Sequence, residues 1–361
     1  MTDDTIEADR LPGAPHPRET ARLFGHEAAW QGFCAARAGG RLHHAWLLTG
    51  PRGVGKATLA WRMARALLAD PDDPQAEAIE RRILALAEPR LFLLRRGQGE
   101  RGSALSQFIT VEETRRLRGF LGLSAADGGT RVVIIDSVDD MNPNAANALL
   151  KLLEEPPARV VFLLVSHRPA GLLATIRSRC RELRLSPLAP ADLAAALEQA
   201  GVPAGPPEDA VALAELAAGS VGEAFVLAGR DGLVSYRALV ALLAGMPRLD
   251  RPRMLALIDA ATARPPEEGF ALMLGQIDHF LARLARTGAT RTPPPEAAPG
   301  EAALLVRLAP DGPAARRWAE LALVLTARAR TGRAVNLDLG ALLMDTLLRI
   351  EATAAECNRA G

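Results

Sequence analysis

Lysine is almost absent from this 361-residue chain, since Lys56 and Lys151 are the only two among 43 lysines and arginines. Both side chains solvate equally well on a surface, so a composition biased toward arginine can replace any lysine that merely sits there. Lys56 survives directly behind Gly50-Pro51-Arg52-Gly53-Val54-Gly55, where a compact ammonium suits a phosphate loop better than a planar fork. Cysteine is scarce as well. Cys34, Cys180 and Cys357 lie far apart, which excludes a disulfide framework and offers no zinc-ligand spacing. No apolar run is long enough to span a membrane and the first residues are acidic, so neither a membrane span nor a signal peptide is expected and the reading is cytoplasmic. Net charge is also missing, with 43 basic against 42 acidic residues. That excludes a protein that coats nucleic acid by its overall charge, and any DNA contact has to be local or shared with partners.

A more specific absence is a hydroxyl. Residues 50–57 read Gly-Pro-Arg-Gly-Val-Gly-Lys-Ala, following an apolar strand-like run and opening a helical one, the context that a phosphate-binding loop requires. Gly50, Gly53, Gly55 and Lys56 supply the cradle, but Ala57 stands where Ser or Thr would hold magnesium. Thr58 is one residue late, about 100° around the helix. The apolar run Val132–Ile135 ends in Asp136-Ser137, where a hydrolysing ATPase of this architecture carries Asp-Glu. A serine hydroxyl is far too weakly acidic to replace that base at neutral pH. Asp139 and Asp140 read as capping and solvating groups before the next helix. The degenerate loop makes ATP binding doubtful and hydrolysis unexpected.

Strand-like and helical segments alternate from residue 45 to 185, the pattern of an α/β domain with a parallel sheet. Expected strands cover 45–48, 131–135, 160–165 and 182–185. Expected helices cover 27–38, 56–68, 76–87 and 111–121, with a turn at Asp127-Gly128-Gly129. Asn142-Pro143 predicts a capped helix start, running to Glu154 before Pro156-Pro157. Beyond Pro190 only helices are expected. The division is a disordered acidic tail at 1–18, a P-loop domain at 19–187, a small helical lid at 188–230, and an all-helical domain at 231–361. A loose interruption is expected over Thr287–Gly300.

Two basic segments need weighing. Thr175-Ile176-Arg177-Ser178-Arg179-Cys180-Arg181-Glu182 would be a solvated turn in most proteins. In an oligomeric P-loop ATPase the same segment can carry an arginine that one subunit offers to the γ-phosphate held by its neighbour, worth about a thousandfold or more in turnover. Arg179 is the candidate and Arg177 the second choice. Helix 111–121 carries Arg115, Arg116 and Arg118, usually a solvated face but also candidates for DNA phosphate contact. The Cys180 thiol reads as a small packed side chain.

The set Gly-Pro-Arg-Gly-Val-Gly-Lys, Ile134-Ile135-Asp136 followed by Met141, Asn147-Ala148-Leu149-Leu150-Lys151-Leu152-Leu153-Glu154-Glu155-Pro156-Pro157 and Ser178-Arg179-Cys180 resembles the clamp-loader branch of the AAA+ ATPases. The resemblance covers residues 22 to about 230. It implies an α/β P-loop AAA+ domain with a parallel sheet, a small helical lid domain and an all-α C-terminal collar domain. Ala57, Ser137 and the glycines of Gly219-Ser220-Val221-Gly222 depart from the hydrolysing gamma/tau members, while Ser178-Arg179-Cys180 is retained. This implies a non-hydrolysing subunit of the DNA polymerase III holoenzyme, a DNA-directed DNA polymerase and so a nucleotidyltransferase assembly. Such a subunit would supply Arg179 in trans during loading of the sliding clamp onto primed DNA. The implied partners are the gamma/tau and delta subunits, the sliding clamp and primer-template DNA. Two other readings stand beside it: a gamma/tau-like motor using Thr58 and a nearby acid such as Asp139 or Asp140 in place of the missing groups, and a free-standing DNA-binding regulator with a fossil P-loop. Members of this branch often carry a four-cysteine zinc module after the P-loop helix, and residues 69–110 contain no cysteine. Metal analysis of the purified protein should find no stoichiometric zinc.

Overall fold

The computed structural model describes residues 7–69, 73–98, 105–122, 129–203, 205–263 and 265–360. Five strands form one parallel sheet: β1 (Ala45–Thr49), β2 (Leu91–Arg95), β3 (Arg131–Asp136), β4 (Val160–Ser166) and β5 (Arg181–Arg184), in the order β2-β3-β4-β1-β5. Every residue of β1 and β4 is buried, as uninterrupted apolar runs require when helices cover both faces of a sheet. The edge strand β5 is mostly exposed, in keeping with its sequence Arg-Glu-Leu-Arg. Register is set by pairings such as Leu47 with Leu164 and with Glu182.

The helices of this half are α1 (Glu27–Ala38), α2 (Lys56–Leu68), α3 (Ala76–Leu84), α4 (Val111–Gly122), α5 (Pro143–Glu154), the single turn α6 (Ala174–Arg177) and α7 (Pro190–Gln199). The Asn142 side chain accepts from Ala145 N at 2.8 Å, capping α5 with Pro143 in its first turn. Leu149 and Leu153 of α5, Ile176 and the Cys180 side chain join one apolar core with β1, β3 and β4. Of the expected turn at 127–129, Asp127 and Gly128 lie outside the described residues.

Residues 7–18 correct the expectation of a disordered tail. The Asp9 side chain is fully buried, ion-paired with Arg95 on β2 and 3.2 Å from His16. Glu7 pairs with Arg18 at 2.8 Å and with Arg95 at 3.1 Å. His16 has no exposed surface, meets the Trp61 ring edge-on at 6.1 Å and accepts from Arg18 N at 3.0 Å. The segment orders because its carboxylates find cations, one of them on a distant strand, rather than by burying apolar area of its own.

Contacts divide the chain into two compact units, residues 1–203 with 219–223, and residues 204–218 with 224–361. The expected lid segment 188–230 is therefore shared between the two. The second unit is helical throughout, with α8 (Pro207–Leu216), most of α9 (Val221–Gly229), α10 (Gly232–Leu243), α11 (Arg251–Thr262), α12 (Pro266–Thr290), α13 (Glu301–Leu308), α14 (Gly312–Ala334) and α15 (Leu339–Ala360). Helix α12 is its axis. Phe270, Met273, Ile277, Phe280, Leu281 and Leu284 are all but fully buried, spaced three and four apart as one helical face demands. The interruption expected from Thr287 begins only at Arg291, which takes φ 60° to end α12. No helix among the described residues is long and apolar enough to cross a membrane.

A charged group lies inside this helical unit. The Glu301 carboxylate is fully buried and accepts from Tyr236 Oη at 2.5 Å, Arg283 Nε at 2.7 Å, Arg283 Nη2 at 3.1 Å and Ala297 N at 2.8 Å. So many donors offset the cost of taking a carboxylate out of water. Glu301→Ala would leave Arg283 only the looser Glu215 carboxylate at 3.5 Å, a loss of about 3–5 kcal/mol by the usual cost of breaking a buried pair. Hydrogen exchange of the α12 amides should accelerate by about a hundredfold or more, and unchanged protection would refute this account of the unit.

Candidate functional site

The predicted loop residues converge at the C-terminal end of the sheet, where open α/β proteins bind their ligands. Gly50 follows β1 with φ 142°, and a Cβ there would lie 2.3 Å from the Leu185 carbonyl oxygen. Gly53 has φ 77°, and a Cβ there would lie 2.2 Å from Ser220 Oγ. Both positions therefore require glycine. The loop is pinned from beneath by the buried His26, whose Nε2 lies 2.6 Å from the Val54 carbonyl oxygen. It is met from outside by the turn 219–222, where Gly222 N donates to Gly53 O at 3.2 Å. Ser220 Oγ accepts from Glu223 N at 3.2 Å, capping α9 from the same turn.

Lys56 is turned back on the loop. Its Nζ donates to Gly50 O at 2.8 Å and also to Pro51 O, and the residue is only 3% exposed. Burial lowers its pKa to about 8 despite the nearby carboxyls of Asp136 and Asp139. Ala57 opens α2 without a hydroxyl. At the end of β3, burial pushes the Asp136 carboxyl up to about 7, with the Asp9 carboxylate adding to the effect and Lys56 opposing it. Burial is the leading cause of both shifts, since it disfavours the charged form of the amine and of the carboxyl alike.

Asp139 does more than the solvation expected of it. Its carboxylate accepts from Ser166 Oγ at 2.9 Å, His167 N at 2.5 Å and Arg168 N at 3.2 Å, tying the turn after β3 to the end of β4. Asp140 pairs with Arg96 at 3.3 Å. Ser137 Oγ is buried with no hydrogen-bond partner among the described residues. Asp9, His26 and His167 were not singled out in the sequence. A histidine or an acid with no motif around it carries no local signal, and only the fold brings these three to the loop.

The arginine segment is not part of this cluster. Arg179 precedes β5, which runs parallel to β1, whereas the P-loop follows β1. The two therefore occupy opposite ends of the sheet. Arg179 is partly exposed; its Nη2 lies 2.8 Å from Glu154 Oε1 and its Nη1 donates to Thr175 O at 3.0 Å. Ser178 Oγ donates to Thr175 O at 3.1 Å. Burial raises the Cys180 thiol to about 12, so the neighbouring cysteine is a packing group and not a nucleophile. Arg177 donates to Pro169 O at 3.3 Å and is exposed. Arg115 and Arg116 stand exposed on α4, Arg115 beside Glu112 at 3.5 Å.

The raised pKa of Asp136 has a thermodynamic consequence. A carboxyl whose folded pKa lies above its unfolded value contributes stability at low pH, and this is lost as pH rises from about 4 toward 7. Asp136→Asn should thus melt higher than the parent at pH 8 and close to it at pH 4. Equal melting temperatures at pH 8 would contradict the shift.

Residues 25–189 match the family described as "DNA polymerase III, delta subunit". The chain is 41% identical over 199 residues to DNA polymerase III subunit delta' of Pseudomonas aeruginosa, an alignment covering 54% of this chain and 58% of that one. To subunit tau of Escherichia coli it is 32% identical over 274 residues, 71% of this chain and 40% of that one. The chain spans about half the length of these curated relatives. The RuvB branch-migration motor of Thermotoga maritima superposes at TM-score 0.41 and 20% identity, covering 75% of this chain and 78% of that one, too loose a match to add to the sheet order itself. The matched segment coincides with the parallel sheet and its glycine loop, and it is there that the chain is similar to the delta and delta' subunits of DNA polymerase III.

Proposed function

We propose that this protein is a non-hydrolysing clamp-loader subunit that offers Arg179 to the nucleotide of a neighbouring motor subunit while the sliding clamp is loaded onto primed DNA. The position of Arg179 carries the reading. An arginine at the far end of the sheet from its own P-loop cannot serve that loop, but it is free to serve another subunit's. Its guanidinium is held by one partly exposed carboxylate, Glu154. Such a surface pair is worth only about 0–1 kcal/mol. Exchange of Glu154 for phosphate oxygens, which accept the same planar fork through more than one hydrogen bond, is thus inexpensive.

The chain's own nucleotide site supports the other half of the proposal. Catalysis of phosphoryl transfer relies on a metal, a positioned water and charge stabilisation. Here Ala57 provides no metal ligand, Ser137 provides no base, and Lys56 is engaged by the loop's own carbonyls. The turn 219–222, with glycine where a lid arginine would serve, is seated on Gly53. The proposed partners are the gamma/tau and delta subunits, the clamp and primer-template DNA reached through the assembled complex. Arg115 and Arg116 are candidates for the DNA-facing surface.

The test is ATP turnover by motor subunits reconstituted with delta, clamp and primed DNA, adding this chain or its Arg179→Ala variant at equal assembly. The variant should depress clamp-stimulated turnover strongly, and Arg179→Lys, which keeps charge but not the fork, should restore little of it. Unchanged turnover in a fully assembled Arg179→Ala complex would overturn the arginine role. Turnover by the isolated chain would favour a motor using Thr58. Strong salt-dependent DNA binding without partners would favour the free-standing regulator.

A further inference from the structure

At the arginine end of the sheet stands an acid that its own helix does not favour. Glu154 is the last residue of α5 and Glu155 caps it, where the unpaired carbonyls of the final turn carry partial negative charge and disfavour a carboxylate. Lys151, in the same turn, has the charge that such an end prefers. Glu154 finds its compensation outside the helix, with Oε1 2.8 Å from Arg179 Nη2.

The two backbones are anchored separately. Leu153, directly before Glu154, is buried in the same core as Ile176, and Cys180, directly after Arg179, packs against that core. The pair therefore parts by rotation of its two side chains, of which the arginine is 34% and the glutamate 42% exposed. What the guanidinium would leave behind is already provided for. Its second acceptor, Thr175 O at 3.0 Å, also receives the Ser178 hydroxyl at 3.1 Å and keeps that donor when the arginine departs. Arg177 is held elsewhere, by Pro169 O at 3.3 Å. Departure of Arg179 breaks the Glu154 pair and strands no buried group.

We infer that Glu154 is a positioning residue that retains Arg179 on its own chain until a phosphate is brought within reach, and so sets how far turnover by the assembly depends on clamp and DNA. This rests on the reading of Arg179 as the residue offered to a neighbouring nucleotide. A carboxylate presents one negative charge where a terminal phosphate presents more, and both accept the planar fork. The carboxylate wins while phosphate is distant and loses when it is adjacent. Without such a competitor the arginine would be available to the neighbour in every state of the assembly, and turnover would need the clamp less.

Glu154→Gln keeps the size of the side chain and removes its charge, while Glu155→Gln makes the same change in net charge one residue on. In motor subunits reconstituted with delta and this chain, ATP turnover without clamp or DNA should rise about two- to fivefold with Glu154→Gln, the range open to a surface pair. The ratio of stimulated to unstimulated turnover should fall by the same factor. The rise should appear in kcat and not in KM for ATP, because the arginine acts on the transition state. Glu155→Gln should behave as the parent. In the Arg179→Ala background Glu154→Gln should change nothing. An unstimulated rate that is unchanged or lower in Glu154→Gln, or an equal rise in the double variant, would overturn the inference. A second measurement needs no ATP: in the full-length isolated chain, modification of arginines by a vicinal dicarbonyl reagent, mapped by mass spectrometry, should be about two- to fivefold faster at Arg179 in Glu154→Gln than in the parent, with Arg177 as internal reference. Equal rates would also overturn it. Stimulated turnover that survives Arg179→Ala overturns instead the reading on which the inference rests.

Discussion

Strand β1 is hydrogen-bonded on both sides, to β4 and to β5, with no residue exposed, and the geography of the chemistry depends on that. A strand buried on all sides cannot slip without moving an entire apolar run out of register. Its C-terminal end must release the chain into the glycine loop, and the parallel neighbours bring Asp136 and the Ser166-His167 pair to the same end. The connection into β5 must arrive at the other end. The glycine loop and Arg179 are thereby kept apart by the length of a strand. The anchoring of Ile176 and Cys180 in the core beneath α5 fixes the chain three residues before Arg179 and one residue after it.

At the glycine-loop end, around Ala57, the charged groups are held by the protein itself. Lys56 donates to the loop carbonyls of Gly50 and Pro51, and burial raises the Asp136 carboxyl. Asp139 accepts from the end of β4, and Asp140 pairs with Arg96.

Much of this was legible in the sequence. Strands β1, β3 and β4 are continuous apolar runs, Asn142-Pro143 is a cap with a mechanism, and the glycine loop has a spacing that few other structures require. The alternation of these segments fixes a parallel sheet. What remained hidden depends on partners distant in the chain. Residues 7–18, acidic and proline-bearing, look unable to order themselves, and alone they would be; Arg95, on β2, makes the difference. Asp139 looks like a solvating group because its three donors belong to β4 and the turn behind it. His26 and the turn 219–222 touch the loop only once the whole unit is folded, and no periodicity anticipates a contact between one glycine and another.

The shortage of lysine has a practical side. Lys56 is buried and both of its loop acceptors are occupied, while Lys151 is exposed on α5, one helical turn before the Glu154 that holds Arg179. Amine-directed chemistry on the folded protein therefore meets a single lysine side chain, and that side chain stands next to the tether of the arginine. A reporter dye coupled there would sit beside the Glu154–Arg179 pair and register any change in it.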